Sequence, residues 1–232
     1  MNKWLHALAD VLMPRTCAVC GQALGLDEPY LCPACELALP RTHYENESFN
    51  AMEQLAAGRT PIERAAGYFF YEKASPYAAI LHDIKYRNMP LMGQWLCRQA
   101  ARHMQQSNFF EGIDAIAPVP LHRSKLADRG YNQSQYLAQG LADVTGIQLV
   151  QALTATRPHA TQTRKSAQER WENIQDMYAP RSSAARQLAG KHILIVDDVI
   201  TTGATLIACS QALHQLPGVR ISWFTLAVAR LD

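Results

Sequence analysis

One continuous segment, Ile193–Thr205, places two carboxylates, three hydroxyls and a glycine directly after an apolar run. The run Ile193–Val196 is typical of a central parallel strand that is covered on both faces. Ligands of open α/β sheets bind beyond the carboxyl ends of the strands, which is where Asp197 and Asp198 are predicted to lie. Carboxylates at this edge accept hydrogen bonds from hydroxyl groups or bind a divalent cation, and they repel a phosphate.

The residues after the acidic pair favour an anion. Thr201, Thr202, Gly203, Ala204 and Thr205 lead into an apolar helical segment, and a helix N-terminus offers free N–H groups and the positive end of the helix dipole. Glycine lets the backbone approach the anion closely, and the threonine hydroxyls add donors. An anion cradle beside two hydroxyl acceptors describes a ribose 5-phosphate, whereas the GxxxxGK[ST] pattern of nucleotide P-loops is absent. The alternative is a strand–turn–helix in which Asp and Thr only cap the helix.

Four cysteines near the amino terminus form two CxxC pairs, Cys17/Cys20 and Cys32/Cys35, with eleven residues between the pairs. Two such knuckles supply four thiolates with tetrahedral reach, the usual ligands of a closed structural zinc site. Because all four ligands are protein thiolates, no coordination position stays open for catalysis. Two disulfides or redox dithiols are the alternative, which the lack of a secretory signal disfavours.

The composition is that of a globular protein rather than a membrane or strongly cationic one. Of the 232 residues, 48% are apolar and 18% are charged, with a formal net charge of +2. Such a chain can bury a core, and its overall charge does not indicate nucleic-acid binding. No apolar run approaches the ~18–20 residues of a membrane-spanning helix. Residues 2–12 predict a short amphipathic helix rather than a signal peptide, so we expect a cytoplasmic protein.

Strand and helix patterns alternate from residue 65 onward, which predicts an α/β fold with a mostly parallel sheet and helices on its faces. Strands are predicted at 65–71, 113–119, 147–150, 192–196 and 221–228. Helices are predicted at 76–86, 91–104, 132–144 and 203–216. Asn132 and Gly146 are the expected caps of the third helix. The lone cysteines, Cys97 and Cys209, fall in helical patterns and are predicted to be buried.

The segment VDDVITTGAT closely resembles the motif with which type I phosphoribosyltransferases bind 5-phosphoribosyl-1-pyrophosphate (PRPP). The resemblance implies that Asp197 and Asp198 are catalytic residues that contact the ribose 2- and 3-hydroxyls. It also implies that residues 201–205 bind the 5-phosphate and that Mg²⁺ accompanies PRPP.

A double CxxC module followed by this motif is similar to the ComF/GntX family, which is linked to natural competence and the use of external DNA. Residues 118–138 (PVPLHRSKLADRGYNQSQYLA) and 82–86 (HDIKY) also match the family. The resemblance implies a type I phosphoribosyltransferase-like fold with a small zinc-ribbon-like module. We therefore predict a zinc-binding module at 1–40, a linker or cap at 41–64 and the phosphoribosyltransferase-like domain at 65–232.

Cations near the predicted sheet edge would neutralise a leaving pyrophosphate, which is electrostatic catalysis. Arg123, Lys125 and Arg129 follow a predicted strand end, and Lys85 can act in the same way. The alternative for these residues is a solvated basic face. Asn132 and Gln133 are either ligand contacts or helix caps.

Residues 155–182 form a long polar loop whose cations include Arg157, Arg164, Lys165 and Arg170. This loop is a lid over PRPP, an arm that follows a nucleic-acid backbone, or a surface loop without a ligand. The two functional hypotheses are accordingly a phosphoribosyltransferase with an unidentified acceptor and a non-catalytic adaptor. The adaptor would bind PRPP, single-stranded DNA or a DNA-uptake helicase. No residues indicate an acceptor base, although residues 36–65, the zinc module and the C-terminal strand are candidates for the hood that would hold it.

Overall fold

The computed structural model describes residues 14–156 and 177–230. Its helices are α1 (Pro33–Leu37), α2 (Ala51–Ala56), α3 (Ala78–Tyr86), α4 (Pro90–Met104), α5 (Arg123–Arg129), α6 (Gln133–Thr145), α7 (Ser182–Leu188) and α8 (Ala204–Leu213). Its strands are β1 (Ala65–Tyr71), β2 (Ala115–Pro118), β3 (Gln148–Leu149), β4 (Leu153–Ala155), β5 (Tyr178–Pro180), β6 (His192–Ile200) and β7 (Arg220–Ala229). A 3₁₀ turn covers Tyr44–Asn46. None of the helices in these ranges is long and apolar enough to cross a membrane.

Five strands form one parallel sheet in the order β1-β7-β6-β2-β3. Strand β6 is central, and the residues Ile193–Val196 are completely buried in it. Leu194 and Val196 enter the core on one face, whereas Ile193 and Ile195 enter the core on the other. A strand covered on both faces must be apolar without alternation, as this one is. The predicted mostly parallel sheet with flanking helices is confirmed.

The register of the sheet brings the carboxyl ends of β2 and β6 to one edge. Pro118 pairs with Val196, and the N–H of Val119 donates to the carbonyl of Val196 at 2.9 Å. Because the two strands are parallel, the residues that follow Pro118 leave the sheet on the same side as those that follow Val196. The expectation that both segments share one edge is confirmed.

Strand β6 continues for four residues beyond the predicted end at Val196. Asp197, Val199 and Ile200 pair with β7, so the backbone ladder extends although the side chains become polar. The prediction that the acidic pair follows the strand is therefore wrong, because Asp197 and Asp198 lie within the strand itself. Their side-chain directions are consequently fixed by the sheet rather than by a loop.

Helix α6 begins beside this edge and packs tightly on α4. The side chain of Asn132 accepts from the N–H of Ser134 as the N-cap, and Gly146 ends the helix with φ of 72°. Both caps were expected from the sequence. At Gly140, an added Cβ would lie 2.2 Å from the carbonyl oxygen of Gln94, so only glycine fits between the two helices.

Helix α5 and the small sheet of β4 and β5 were not expected from the sequence. The α5 sequence RSKLADR contains no buried residue, so the apolar periodicity that predicts a helix is missing. Strands β4 and β5 are antiparallel and have three residues each, and β5 therefore replaces part of the predicted loop at 155–182. The expected lid cations Arg157, Arg164, Lys165 and Arg170, like the helix at 2–12, lie outside the described residues.

The cysteine module packs directly on the main core. Cys17, Leu31 and Leu39 are buried in the same cluster as the inner residues of α3 and α4. The rings of Tyr30 and Trp95 lie 5.8 Å apart, and the hydroxyl of Tyr77 donates to the carbonyl of Cys35 at 3.1 Å. These contacts attach the module to the start of α3 and to α4. The division of the chain at residues 40 and 64 stays a prediction.

Candidate functional site

The acidic end of β6 is the centre of a network of side chains from three separate segments. The Nζ of Lys85 lies 2.7 Å from Oδ1 of Asp198, and Nε2 of Gln133 donates to Oδ2 of the same carboxylate at 2.7 Å. The Oγ of Ser134 donates to Oδ1 of Asp197 at 3.0 Å. Helix α3 thus supplies the cation, and the first turn of α6 supplies the neutral donors.

One buried and one partly buried carboxylate next to each other require these partners, because an unpaired charge away from water is costly. Asp198 is only 5% exposed and Gln133 only 4%. The guanidinium of Arg129 donates to Oε1 of Gln133, which orients the amide so that its Nε2 faces Asp198. The geometry therefore links Arg129 to the acidic pair through a buried amide.

The carboxyl group of Asp197 is poised to titrate near neutrality. Burial, as the larger cause, and the adjacent charge of Asp198 raise the pKa of Asp197 to about 7. The N–H of Asp198, the Lys85 cation and the Ser134 hydroxyl act in the opposite direction without cancelling this effect. A carboxyl group with such a pKa can change its protonation state when a hydroxyl-bearing ligand or a cation binds.

The loop after β6 leads into a helix N-terminus, as the sequence predicts. Gly203 has φ of 76° and precedes the first turn of α8, so a residue with a side chain would be strained there. Thr201 and Thr202 are exposed, while Ala204 and Thr205 are the first two residues of the helix. The five residues predicted for phosphate therefore surround one helix N-terminus beside the acidic pair.

A basic cavity of about 360 Å³ adjoins the acidic pair through Lys85. Lys125 and Arg129 from α5 line it with Lys85, and the rings of Tyr86 and Tyr131 form other parts of its wall. The guanidinium of Arg129 lies over the ring of Tyr86, 5.5 Å from its centroid. Three of the four cations predicted for pyrophosphate thus lie around one cavity.

Arg123, the fourth predicted cation, begins α5 and is not part of this cavity wall. A second, smaller cavity of about 110 Å³ borders the loop at Thr201 and is lined by Leu55, Phe70 and Val228, among others. It contains residues of both the predicted cap and the C-terminal strand. A larger cavity of about 650 Å³ at residues 56–63 contains none of the predicted site residues.

The four cysteines of the CxxC pairs lie together as predicted. Their Sγ atoms are all within 4.8 Å of one another, and those of Cys20 and Cys32 are 3.8 Å apart. Burial disfavours the thiolate of Cys17, but the backbone N–H groups of Cys20, Cys32 and Val19 outweigh it and lower the pKa of Cys17 to about 6. The cluster can hold a metal ion. All four residues are free thiols in the structure, so no disulfide links them, whereas the alternative of redox dithiols stays untested.

Two contacts to the acidic pair were not predicted. Ser134 was not singled out from the sequence, and Gln133 was interpreted as either a ligand contact or a cap. The sequence did hold a signal for their position, because α6 follows β2 after one short helix and the ends of β2 and β6 share one sheet edge.

We predict that the raised pKa of Asp197 makes the protein less stable as the pH rises. The folded pKa is above the ordinary value of 3.8, so the folded state holds an extra proton between these two values and stability falls as pH rises through about 7. Between pH 5 and pH 8, the unfolding free energy of the native protein should fall by about 1–4 kcal/mol relative to Asp197→Asn. Urea unfolding at a series of pH values measures the unfolding free energy of both proteins. The same pH dependence in the native protein and in Asp197→Asn would contradict the raised pKa of Asp197.

Two sequence comparisons identify relatives of this chain. A family model described as phosphoribosyl transferase domain matches residues 128–226. The DNA utilization protein YhgH of Escherichia coli K12 is 31% identical over 206 residues, which cover 85% of this chain and 83% of that protein. The competence protein F of Haemophilus influenzae Rd is 30% identical over 66% of this chain and 69% of its own length.

Among solved structures, an adenine phosphoribosyltransferase from Leishmania tarentolae covers 78% of this chain and 89% of its own at 11% identity and a TM-score of 0.38. This likeness is too low to carry a functional argument. The sequence identity to the two relatives, over most of both chains, is sufficient by itself to show the family. The chain belongs to the ComF/GntX family, the family of these DNA utilization and competence proteins, and it carries a phosphoribosyltransferase domain.

Proposed function

We propose that this protein binds PRPP together with Mg²⁺ and transfers its phosphoribosyl group to an acceptor that the sequence does not identify. The observation that carries the proposal is the convergence of Lys85, Gln133 and Ser134 on Asp197 and Asp198, next to the glycine-capped helix N-terminus. A sugar phosphate has the matching groups, because its hydroxyls need acceptors and its phosphate needs N–H donors.

Each part of the site has a separate role in this proposal. Residues 201–205 bind the 5-phosphate, and Asp197 and Asp198 accept hydrogen bonds from the ribose hydroxyls. Lys85, Lys125 and Arg129 surround the cavity in which the pyrophosphate lies. Mg²⁺ bound with PRPP would neutralise further charge on the pyrophosphate oxygens.

The transfer is a displacement at C1 of the ribose. The bond between C1 and the pyrophosphate oxygen breaks, the electron pair leaves with pyrophosphate, and a lone pair of the acceptor forms the new bond to C1. The cations around the cavity stabilise the negative charge that develops on the leaving group. Any proton on the attacking atom is released.

We also propose that the metal of the cysteine cluster is structural zinc. Tetrahedral coordination with Zn–S bonds of about 2.3 Å places sulfur atoms about 3.8 Å apart, which is the separation of the Cys20 and Cys32 sulfurs. Thiolate ligands that are not oxidised are typical of the cytoplasm, so we place the protein there.

The second candidate function is a non-catalytic adaptor in the use of external DNA. The names of the relatives favour it, since they are a DNA utilization protein and a competence protein. Tyr86 is 70% exposed beside Lys125 and Arg129, and exposed rings among cations bind single-stranded nucleic acid. In this alternative, PRPP or single-stranded DNA is a ligand and a DNA-uptake helicase is a partner.

Titration of PRPP with Mg²⁺ by calorimetry tests the site. Replacing both carboxylates, Asp197→Asn/Asp198→Asn, should weaken binding at least about 100-fold, because charge-assisted hydrogen bonds to the ribose are lost. The matched control is Asp114→Asn, a carboxylate at the opposite end of β6 that accepts from the N–H of His192. Equal affinity of the double variant and the native protein would contradict the site assignment.

Release of pyrophosphate from PRPP, screened against bases, amines and phosphate-bearing acceptors, separates the two functions. Turnover with any acceptor that is lost in Asp197→Asn/Asp198→Asn establishes the transferase. Tight PRPP binding without turnover in the whole screen supports the adaptor. In that case, single-stranded DNA should bind with a steep salt dependence.

Metal analysis of the purified protein should find one zinc ion per chain. Cys20→Ser should abolish it while disturbing the core little, because Cys20 is exposed whereas Cys17 and Cys32 are buried. Cys97→Ala, which removes a buried thiol outside the cluster, should retain the metal. Protein without zinc, in which all six cysteines react as free thiols after denaturation, would contradict this prediction.

A further inference from the structure

Lys85 belongs to both halves of the proposed site. Its ammonium lies 2.7 Å from Oδ1 of Asp198, and its side chain also lines the basic cavity with Lys125 and Arg129. The side chain is 20% exposed, so it is neither locked in the core nor free in solvent. It stands between the carboxylates proposed for ribose and the cations proposed for pyrophosphate.

The two partners of Asp198 are held very differently. Gln133 is buried, donates to Oδ2 of Asp198 and accepts from Arg129, so its amide is fixed at both ends. Lys85 reaches Oδ1 from the last turn of α3 through a flexible four-carbon stem. Lys85 can therefore move away from Asp198 while Gln133 keeps the carboxylate oriented.

The charges of the cavity provide a reason for such a movement. Its wall carries three cations, Lys85, Lys125 and Arg129, and one carboxylate, Asp128. A pyrophosphate group offers the ammonium several charged oxygens, whereas Asp198 offers Oδ1 alone, so the ammonium gains more by pairing with the pyrophosphate. A ligand without pyrophosphate offers no such gain and must compete with Lys85 for Oδ1.

We infer that Lys85 is an exchange residue that makes the site selective for PRPP over ribose 5-phosphate. In the empty site it neutralises Asp198; when PRPP binds, its ammonium moves to the pyrophosphate and frees Oδ1 for a ribose hydroxyl. This inference rests on the proposed binding of PRPP. A Lys85 that stays on Asp198 as a fixed counter-ion would affect both ligands equally.

The test is the ratio of the affinities for PRPP and ribose 5-phosphate, each titrated with Mg²⁺ into the same protein. In Lys85→Met, the preference for PRPP should fall at least about tenfold relative to the native protein, the effect of one lost charge-assisted contact. The control is Lys191→Met, whose lysine pairs with Asp114 at the other end of β6. Its preference should not change.

A second variant, Lys85→Gln, covers the case in which leaving Oδ1 of Asp198 without a donor from α3 prevents folding. Its amide can still donate to Asp198, but it has no charge to be drawn to pyrophosphate, so the same fall in preference is expected. Equal losses of affinity for both ligands, in either variant, would overturn the exchange and leave a fixed counter-ion. If the native protein bound neither ligand, the proposed function itself would fail.

Discussion

Two adjacent carboxylates at the end of a buried parallel strand are the constraint on which the rest of the site depends. The sheet fixes the directions of Asp197 and Asp198 because both lie within β6. Their charges must then be matched by donors from whatever packs against that edge. In this chain, the last turn of α3 supplies Lys85 and the first turn of α6 supplies Gln133 and Ser134, so the strand requires these two helix ends to lie at its edge.

Helix α3 also connects the amino-terminal cysteines to the acidic pair. Tyr77, at the start of α3, donates to the carbonyl of Cys35, while Lys85 at the end of that helix reaches Asp198. The helix therefore has one end on the cysteine module and the other on the acidic pair. A metal that holds the four thiolates together would stabilise the surface on which α3 begins, without touching any ligand of the site.

Much of this arrangement could be predicted from the sequence, for identifiable reasons. The apolar run before Asp197 predicts a central strand, the Thr–Gly segment predicts a helix N-terminus, and the CxxC pairs predict a cluster, because each is a local pattern with one physical cause. The extension of β6 to Ile200 could not be predicted, since it depends on pairing with β7 rather than on side chains. The ion pair of Lys85 with Asp198 joins residues far apart in the chain and has no local signal. Helix α5, which carries Lys125 and Arg129, is missed because it buries no apolar face.

The central claim is that a sugar phosphate lies between the acidic end of β6 and the start of α8. The most direct measurement is a titration of the isotope-labelled protein with PRPP and Mg²⁺, followed by NMR. We predict that the largest shifts occur at the backbone amides of residues 202–205 and at the side-chain amide of Gln133. Saturable shifts confined to another region, such as the large cavity at residues 56–63, with none at these amides, would contradict it.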